Sequence, residues 1–411
     1  MTANLFSSFR NAKPVDGKAA LPLNLTVEEV FEEGMVTRTL NLDGQEIFFR
    51  VRSTPLPPPL ANWDFAVIAT IFTAMRLRRP LHVHGPVSRS LLANLEEFQE
   101  AWTTWLPAHY GIVSITAASE IETQPSRRDR AAFAFSGGID ATYSLVRHTT
   151  GSAGRRTLKP VVAALIKGFD IGLADDAAFA IAQRGAEATL ERIGVPIAII
   201  ETNWKSDLCY DWRMEHATGL AACMVQFAGL ADAAVIGGDE GYDKVDIPWG
   251  SNAVSNPLLS SDTMPLRTEG SGFTRSERVG FLVEQNAPMD HLRVCWENAQ
   301  TGSNCGICEK CIRSQLNFLA VGAEPRGFEK RANWWRVATI PSRSLGDNYF
   351  LNETLAAAKR RGIKGAWRYA VMAGMAKNIL LAPKTSLTRA IKNAIRRNEP
   401  LYRRLKKAFK K

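Results

Sequence analysis

Four cysteines fall within seventeen residues, Cys295, Cys305, Cys308 and Cys311, spaced C-x9-C-x2-C-x2-C. Two overlapping C-x-x-C steps let one turn present three thiolates to a single ion, and Cys295 completes a tetrahedron. Gly306 gives that turn its freedom. Four protein ligands leave no open position, so a zinc ion held here would be structural. A [4Fe–4S] cluster and free thiols are the alternatives. Cys209 and Cys223 stand apart and read as buried and inert.

A second pattern can bind phosphate. Ser136-Gly137-Gly138-Ile139-Asp140-Ala141-Thr142 follows an apolar run, Ala131–Phe135, and a helix opens within it. Glycines at 137 and 138 let backbone N–H groups approach a polyphosphate without a Cβ in the way. The helix N-terminus adds partial positive charge and unpaired donors. Ser136 and Thr142 offer hydroxyl donors. Asp140 would repel a bare phosphate, so its expected task is to hold Mg2+ or to orient the loop. Without that context the string would read as a helix cap with a tight turn.

The elements that must position these residues follow from the pattern on either side. From Ala131 onward, apolar strands alternate with helices: strands at Ala131–Phe135, Pro160–Ile166, Pro196–Ile200 and Ala233–Ile236, helices from Asp140, at Asp175–Ile193 and around Gly219–Ala228. Such alternation predicts a parallel sheet covered on both faces, with ligands beyond the carboxyl ends of its strands. The loops after Phe135, Ile166, Ile200 and Ile236 are then the informative ones. Gly237-Gly238-Asp239 lies in the last of these and joins the nucleotide-binding set.

The string at 136–142 resembles the Ser-Gly-Gly-x-Asp-Ser/Ala-Thr loop of the PP-loop ATP pyrophosphatases. The resemblance implies cleavage of ATP between the α and β phosphates and adenylation of a carbonyl or carboxyl oxygen. Ala141 departs from the serine common in that family. No lysine stands where a P-loop kinase would need one. Together with the later Cys-aromatic…Cys-Gly-x-Cys-x-x-Cys pattern, the chain resembles 7-cyano-7-deazaguanine synthase over roughly residues 131–320. That family turns a carboxylate into an amide and then a nitrile with ATP and ammonia, and its zinc site braces the catalytic domain. The loop Gly237–Asn252 followed by Asn256–Ser261 is longer here and carries Trp249 and several carboxylates. The resemblance therefore implies shared ATP chemistry rather than a shared substrate.

Further candidates come with plainer alternatives. Asp239, Glu240 and Asp243 could bind Mg2+ or substrate, or line a solvated loop. Lys167 follows the second strand and could face the phosphates. Lys244 and Arg313 could stabilise charge developing on a leaving pyrophosphate, or be surface charges. Trp249 could wall a substrate pocket. His82 and His84 share a strand face but have no evident third metal ligand.

Organisation and charge complete the reading. Residues 1–125 form an expected α+β region, with a hairpin at Asp43-Gly44, a stiff Pro-rich connector and helices at Phe65–Leu77 and Ser88–Leu106. Residues 126–325 form the expected PP-loop ATPase domain, an adenine nucleotide alpha hydrolase-like α/β fold with the zinc site. Residues 326–411 form a basic helical region, with helical stretches near 353–381 and 385–410. The formal charge is +10. From Leu355 to Lys411 there are 17 lysines and arginines against Glu399 alone, a net of +16, leaving −6 on the rest. This tail could bind RNA phosphates, bind an anionic membrane surface through Val371, Met375, Ile379 and Leu380, or merely solubilise. Hydrophobic residues at 45% and charged residues at 22% exclude a disordered chain, a collagen and a coiled-coil rod. No apolar run reaches the ~20 residues of a membrane span and no signal-peptide pattern is present.

The expectation is a soluble cytoplasmic protein, with the tail a candidate for peripheral attachment at the inner membrane face and a homo-oligomer left open. The expected function is ATP-dependent adenylation of an acidic substrate followed by amidation or ligation, with ATP, Mg2+ and Zn2+. The alternatives are an RNA-modifying PP-loop enzyme and a nucleotide-binding pseudoenzyme scaffold.

Overall fold

Left-handed residues start the fold. Asp43 and Gly44 have φ of 49° and 90°, the backbone that joins two strands in a tight hairpin. This turn pairs β2 (Met35–Leu42) with β3 (Gln45–Arg52), and β1 (Leu23–Glu32) adds on the other side of β2. Alternate residues of β2 are buried, as a half-covered antiparallel strand requires. The computed structural model describes residues 21–122, 124, 129–239, 241–245, 247–295, 303–340 and 346–381. The chain divides into two units, Met1–Ser303 and Asn304–Lys411.

In the first unit α1 (Asp64–Leu77) is apolar nearly all round and buried from Asp64 to Met75. Then come β4 (Leu81–Ser88), α2 (Arg89–Trp105) and β5 (Ile115–Ile121). The expected alternation follows: β6 (Arg130–Ala134), α3 (Ile139–Thr149), β7 (Lys159–Lys167), α4 (Asp176–Ile193) and β8 (Ile197–Thr202). After a short helix α5 (Trp204–Asp207), α6 (Trp212–Val225) leads to β9 (Ala233–Gly237). Last are β10 (Leu266–Glu269) and α7 (Arg275–Glu284).

Among the described residues all ten strands join one sheet, ordered β10-β9-β6-β7-β8-β3-β2-β1-β4-β5. The pairs are parallel except β8·β3, β3·β2 and β2·β1. The antiparallel pairing of Phe49 with Thr202 and Arg52 with Ile199 carries the sheet from the N-terminal strands into the β/α run. Alternation within β6 sorts the two faces. Ala131, Phe133 and Phe135 pack with residues of α3 and α4, while Ala132 packs on the other side with residues of α1, α2 and α6. A fully buried parallel strand therefore reads as an uninterrupted apolar run.

The strand order fixes where a ligand can sit. From β6 the chain moves outward through β7 to β8, then returns to place β9 on the opposite side of β6. The adjacent carboxyl ends of β6 and β9 are thus a topological switch point, where the outgoing loops part and leave a crevice.

The second unit is helical: α8 (Glu309–Ala320), α9 (Trp334–Ala338), α10 (Gly346–Arg360) and α11 (residues 367–381). The helical stretch expected near 353–381 is in fact broken between Arg360 and residue 367, where Gly362 adopts φ 67°. The stretch expected at 385–410 lies outside the described residues. No described helix is long and apolar enough to cross a membrane.

Candidate functional site at the sheet switch point and the cysteine cluster

Ser136, Gly137 and Gly138 leave the end of β6 as a turn, and α3 begins at Ile139. Gly137 has φ 75°, which disfavours any side chain. Gly138, the residue before the helix, has an ordinary φ of −82°. Its N–H donates to Ser136 Oγ at 3.3 Å. The Thr142 hydroxyl donates to Gly138 O at 2.9 Å, so it buttresses the loop rather than pointing outward. Ile139 is buried, and Ala141 belongs to the apolar cluster with Phe133 and Leu145. The missing serine hydroxyl therefore falls at a position that packs inward.

Asp140 lies in the first turn of α3. Its carboxylate accepts from Arg275 Nη2 and from Arg278 Nη1, each at 2.6 Å. Burial would raise its pKa, but the two adjacent guanidinium charges and their hydrogen bonds outweigh burial and hold it down at about 2. Arg278 is itself almost fully buried. It also donates to Gly238 O at 2.7 Å, Gly270 O at 3.0 Å and Phe273 O at 3.2 Å. One side chain thus ties the loop after β6 to those after β9 and β10.

Gly237 ends β9 against the start of α3, and Gly238 follows it. A Cβ at Gly237 would come 3.1 Å from the Asp140 carbonyl carbon, so a side chain there would push the start of α3 back by a few tenths of an ångström. The Gly238 N–H donates to Glu269 O at 2.8 Å. Asp239 accepts from His216 Nε2 and from Trp249 Nε1, both at 3.2 Å. Burial opposes charge on both partners of the His216–Asp239 pair. Their mutual attraction prevails, lowering the Asp239 pKa and raising that of His216. The Trp249 ring sits 5.6 Å from that of His216. Trp249 is thereby fixed against α6 and Asp239. Glu240 lies outside the described residues. Lys244 sits on the same loop, its N–H donating to Gly241 O at 3.0 Å.

Other expected site residues have different surroundings. Lys167, at the end of β7, ion-pairs with Asp176 in the first turn of α4 and lies 3.8 Å from Glu201. Arg313, in α8, pairs with Glu309 at 3.2 Å and lies 3.9 Å from the Phe350 ring. His82 and His84 stack edge to face at 4.5 Å and hydrogen-bond Thr116 and Asn24.

Sequence reasoning missed Arg275, Arg278 and Arg293. The Arg293 N–H donates to Gly137 O at 2.8 Å and its side chain to Ser136 O at 3.3 Å, clasping the phosphate-loop turn. A signal was present for the other two. Thr274 and Glu277 form a capping box, which puts Arg275 and Arg278 in the first turn of α7. Cations there oppose the helix dipole and call for an anionic partner.

The cysteine cluster forms as expected. The sulfurs of Cys295, Cys305, Cys308 and Cys311 all lie within 4.8 Å of one another, and the four side chains are buried. Cys305 and Cys311 sulfurs are 3.9 Å apart. That is far beyond the ~2.05 Å of a disulfide. It matches the roughly 3.8 Å edge of a tetrahedron with ~2.3 Å zinc–sulfur bonds. Backbone N–H groups point at the sulfurs: Cys308 N–H donates to Cys305 Sγ at 3.3 Å and Cys311 N–H to Cys308 Sγ at 3.4 Å. Gly306 has φ 75°, and a Cβ there would lie 1.8 Å from Lys330 O. The cluster could hold a metal ion such as zinc, closed to substrate by its four ligands.

Comparison with protein-family models, curated proteins and solved structures returns no match. The site is accordingly read from its own geometry.

Two outcomes follow. Because folding lowers the Asp140 pKa, its contribution is complete above about pH 4 and fades as pH falls towards 2. Asp140→Asn should lose that part of the acid dependence. A double-mutant cycle with Arg278→Met should give a coupling of at least about 1 kcal/mol near pH 7. Additive denaturation energies would mean that the pair does not hold the loops.

For the metal, the purified protein should contain one zinc per chain by elemental analysis. Cys308→Ser should lower the melting temperature and release the ion, since a structural zinc contributes folding free energy on the order of 10 kcal/mol. A stable metal-free chain, or visible iron–sulfur absorbance, would contradict zinc.

Proposed function

We propose that this protein is an ATP-dependent adenylating enzyme of the PP-loop type that releases AMP and pyrophosphate. The observation that carries the reading is the Ser136–Thr142 turn at the sheet switch point, with glycines where a polyphosphate must touch backbone. Its N–H groups and the α3 N-terminus would receive phosphate oxygens. Arg275, Arg278 and Arg293 supply positive charge beside the turn, suited to stabilising the departing pyrophosphate. Asp239 is the carboxylate we assign to Mg2+ carried in with ATP. The cysteine cluster is the structural zinc site, as the resemblance to 7-cyano-7-deazaguanine synthase implies.

In this reading a substrate carboxylate oxygen attacks the α-phosphorus. The α–β bridging P–O bond breaks, and its electron pair leaves on pyrophosphate. A nitrogen nucleophile then attacks the acyl-adenylate carbonyl carbon, loses a proton and expels AMP, forming an amide. Trp249, braced by Asp239 and His216, is the candidate wall of the acyl pocket.

A binding-only scaffold is the competing reading, favoured by the engagement of Asp140 with two arginines. The test supplies Mg-ATP, ammonia and the small-molecule fraction of a cell extract to the full-length protein, with total RNA in a parallel arm. Equal amounts of AMP and pyrophosphate are expected without RNA. ADP and phosphate would sink the proposal, nucleotide binding without turnover would favour the scaffold, and turnover only with RNA would favour base modification. Gly138→Val is the informative variant. A Cβ at 138 would meet Ser136 Oγ at 3.3 Å and Arg293 O at 3.5 Å, so the fold should tolerate it with a modest adjustment. The side chain would still crowd the phosphate cradle. AMP formation should drop at least about tenfold, equivalent to 1.4 kcal/mol, with the melting temperature nearly unchanged.

A further inference from the structure

Helix α11 carries apolar residues on two opposite faces. Its inner stripe, Ala370 and Val371, packs with Ile312, Leu316, Val337 and Leu351 in the core of the second unit. Val371 is fully buried, which corrects the expectation that it faces lipid, and Met375 packs partly against the same cluster. The outer stripe holds Tyr369, Met372, Ile379 and Leu380, exposed by 73%, 45%, 59% and 78%. Spacings of three and seven residues set these on one side of the helix. A helix face turned to water ordinarily carries polar residues, so this stripe marks a contact surface.

A second element of the same unit, packed against the inner side of α11, also exposes large apolar side chains. Lys377 Nζ donates to Ile340 O at 2.7 Å just beyond α9, and a Cβ at Gly374 would lie 3.0 Å from Val337 O. On α9, Trp334 and Trp335 are exposed by 65% and 62%. Trp334, Trp367, Leu316 and Leu319 line a groove of about 350 Å³. Lys359, Arg360, Arg361 and Lys364 are exposed at the end of α10 and in the turn before α11. From Asn304 to Lys411 there are 24 lysines and arginines against six acidic residues.

We propose that this unit seats on an anionic lipid bilayer, with the outer α11 stripe entering the acyl boundary and the basic residues meeting lipid phosphates. Tryptophan and tyrosine suit that boundary because one end of each ring system is apolar and the other polar. Each basic residue near an anionic membrane contributes about 1 kcal/mol within a Debye length. Charge weighs against two copies meeting through this unit, because both faces would be basic. Side-chain type decides against RNA, which would leave Met372, Ile379 and Leu380 without a partner.

The test is co-sedimentation of the full-length protein with vesicles of phosphatidylcholine mixed with phosphatidylglycerol, and of phosphatidylcholine alone. The comparison variant is Met372→Ser/Ile379→Ser/Leu380→Ser, whose changes are all at exposed positions, with circular dichroism to check folding. The wild type should bind the anionic vesicles, weaken as salt rises, and keep a salt-resistant remainder. The variant should lose that remainder and bind at least about tenfold more weakly, as withdrawing three apolar side chains from lipid requires. No preference for anionic vesicles, or equal binding by the two proteins, would overturn the proposal. So would an apolar stripe whose substitution instead dissolves a dimer or abolishes RNA binding.

Discussion

A guanidinium cannot be taken out of water without acceptors, and Arg278 finds four of them on three segments. Asp140, Gly238, Gly270 and Phe273 each give it an oxygen. Those segments are the start of α3 and the loops that follow β9 and β10. Backbone bonds join the loops after β9 and β10, Gly238 N–H to Glu269 O and Tyr242 N–H to Ser271 O, both at 2.8 Å, and Arg278 adds the start of α3 to them. The buried cation supplies that constraint, because breaking the arrangement would leave a charge uncompensated at a cost of about 3–5 kcal/mol. Arg275 adds a second charge to the Asp140 carboxylate, and Arg293 clasps the Gly137 turn from another segment. The loops at the switch point are therefore held by guanidinium groups paired with carboxylate and carbonyl oxygens.

Much of this was legible in the sequence where burial is total. β6, β7, β8 and β9 are covered on both faces, so each reads as an apolar run and each was placed within a few residues. The Asp43-Gly44 hairpin was legible because only a left-handed turn joins strands so closely. The cysteine spacing pointed directly to the four-cysteine cluster, which could hold a metal ion. β10 was not legible: its four residues, Leu-Arg-Thr-Glu, form an edge with charge on it. The merging of the N-terminal strands into the same sheet was hidden too. An antiparallel junction such as β3·β8 depends on pairing across about 150 residues, which no local pattern encodes.

The site residues divide in the same way. Ser136 to Asp140 announce themselves by composition, because a glycine pair between an apolar strand and a helix has few uses. Arg275 and Arg278 are common residues in an ordinary helix, and their meaning lies in the carboxylate they meet. Lys167 shows the converse. Its position after β7 suggested the phosphates, yet Asp176 and Glu201 are the groups around it. Strand-end position identifies a neighbourhood; only the partners identify a role.

The central claim is that the turn after β6 receives the phosphates of ATP. Amide hydrogen exchange of the full-length protein, with and without Mg-ATP, tests it at the atoms concerned. The account predicts slower exchange at Gly137 through Asp140 and at Gly238 when nucleotide is present, with the strands away from the switch point unchanged. Unaltered exchange across those amides at saturating nucleotide, or protection confined to another part of the chain, would contradict it.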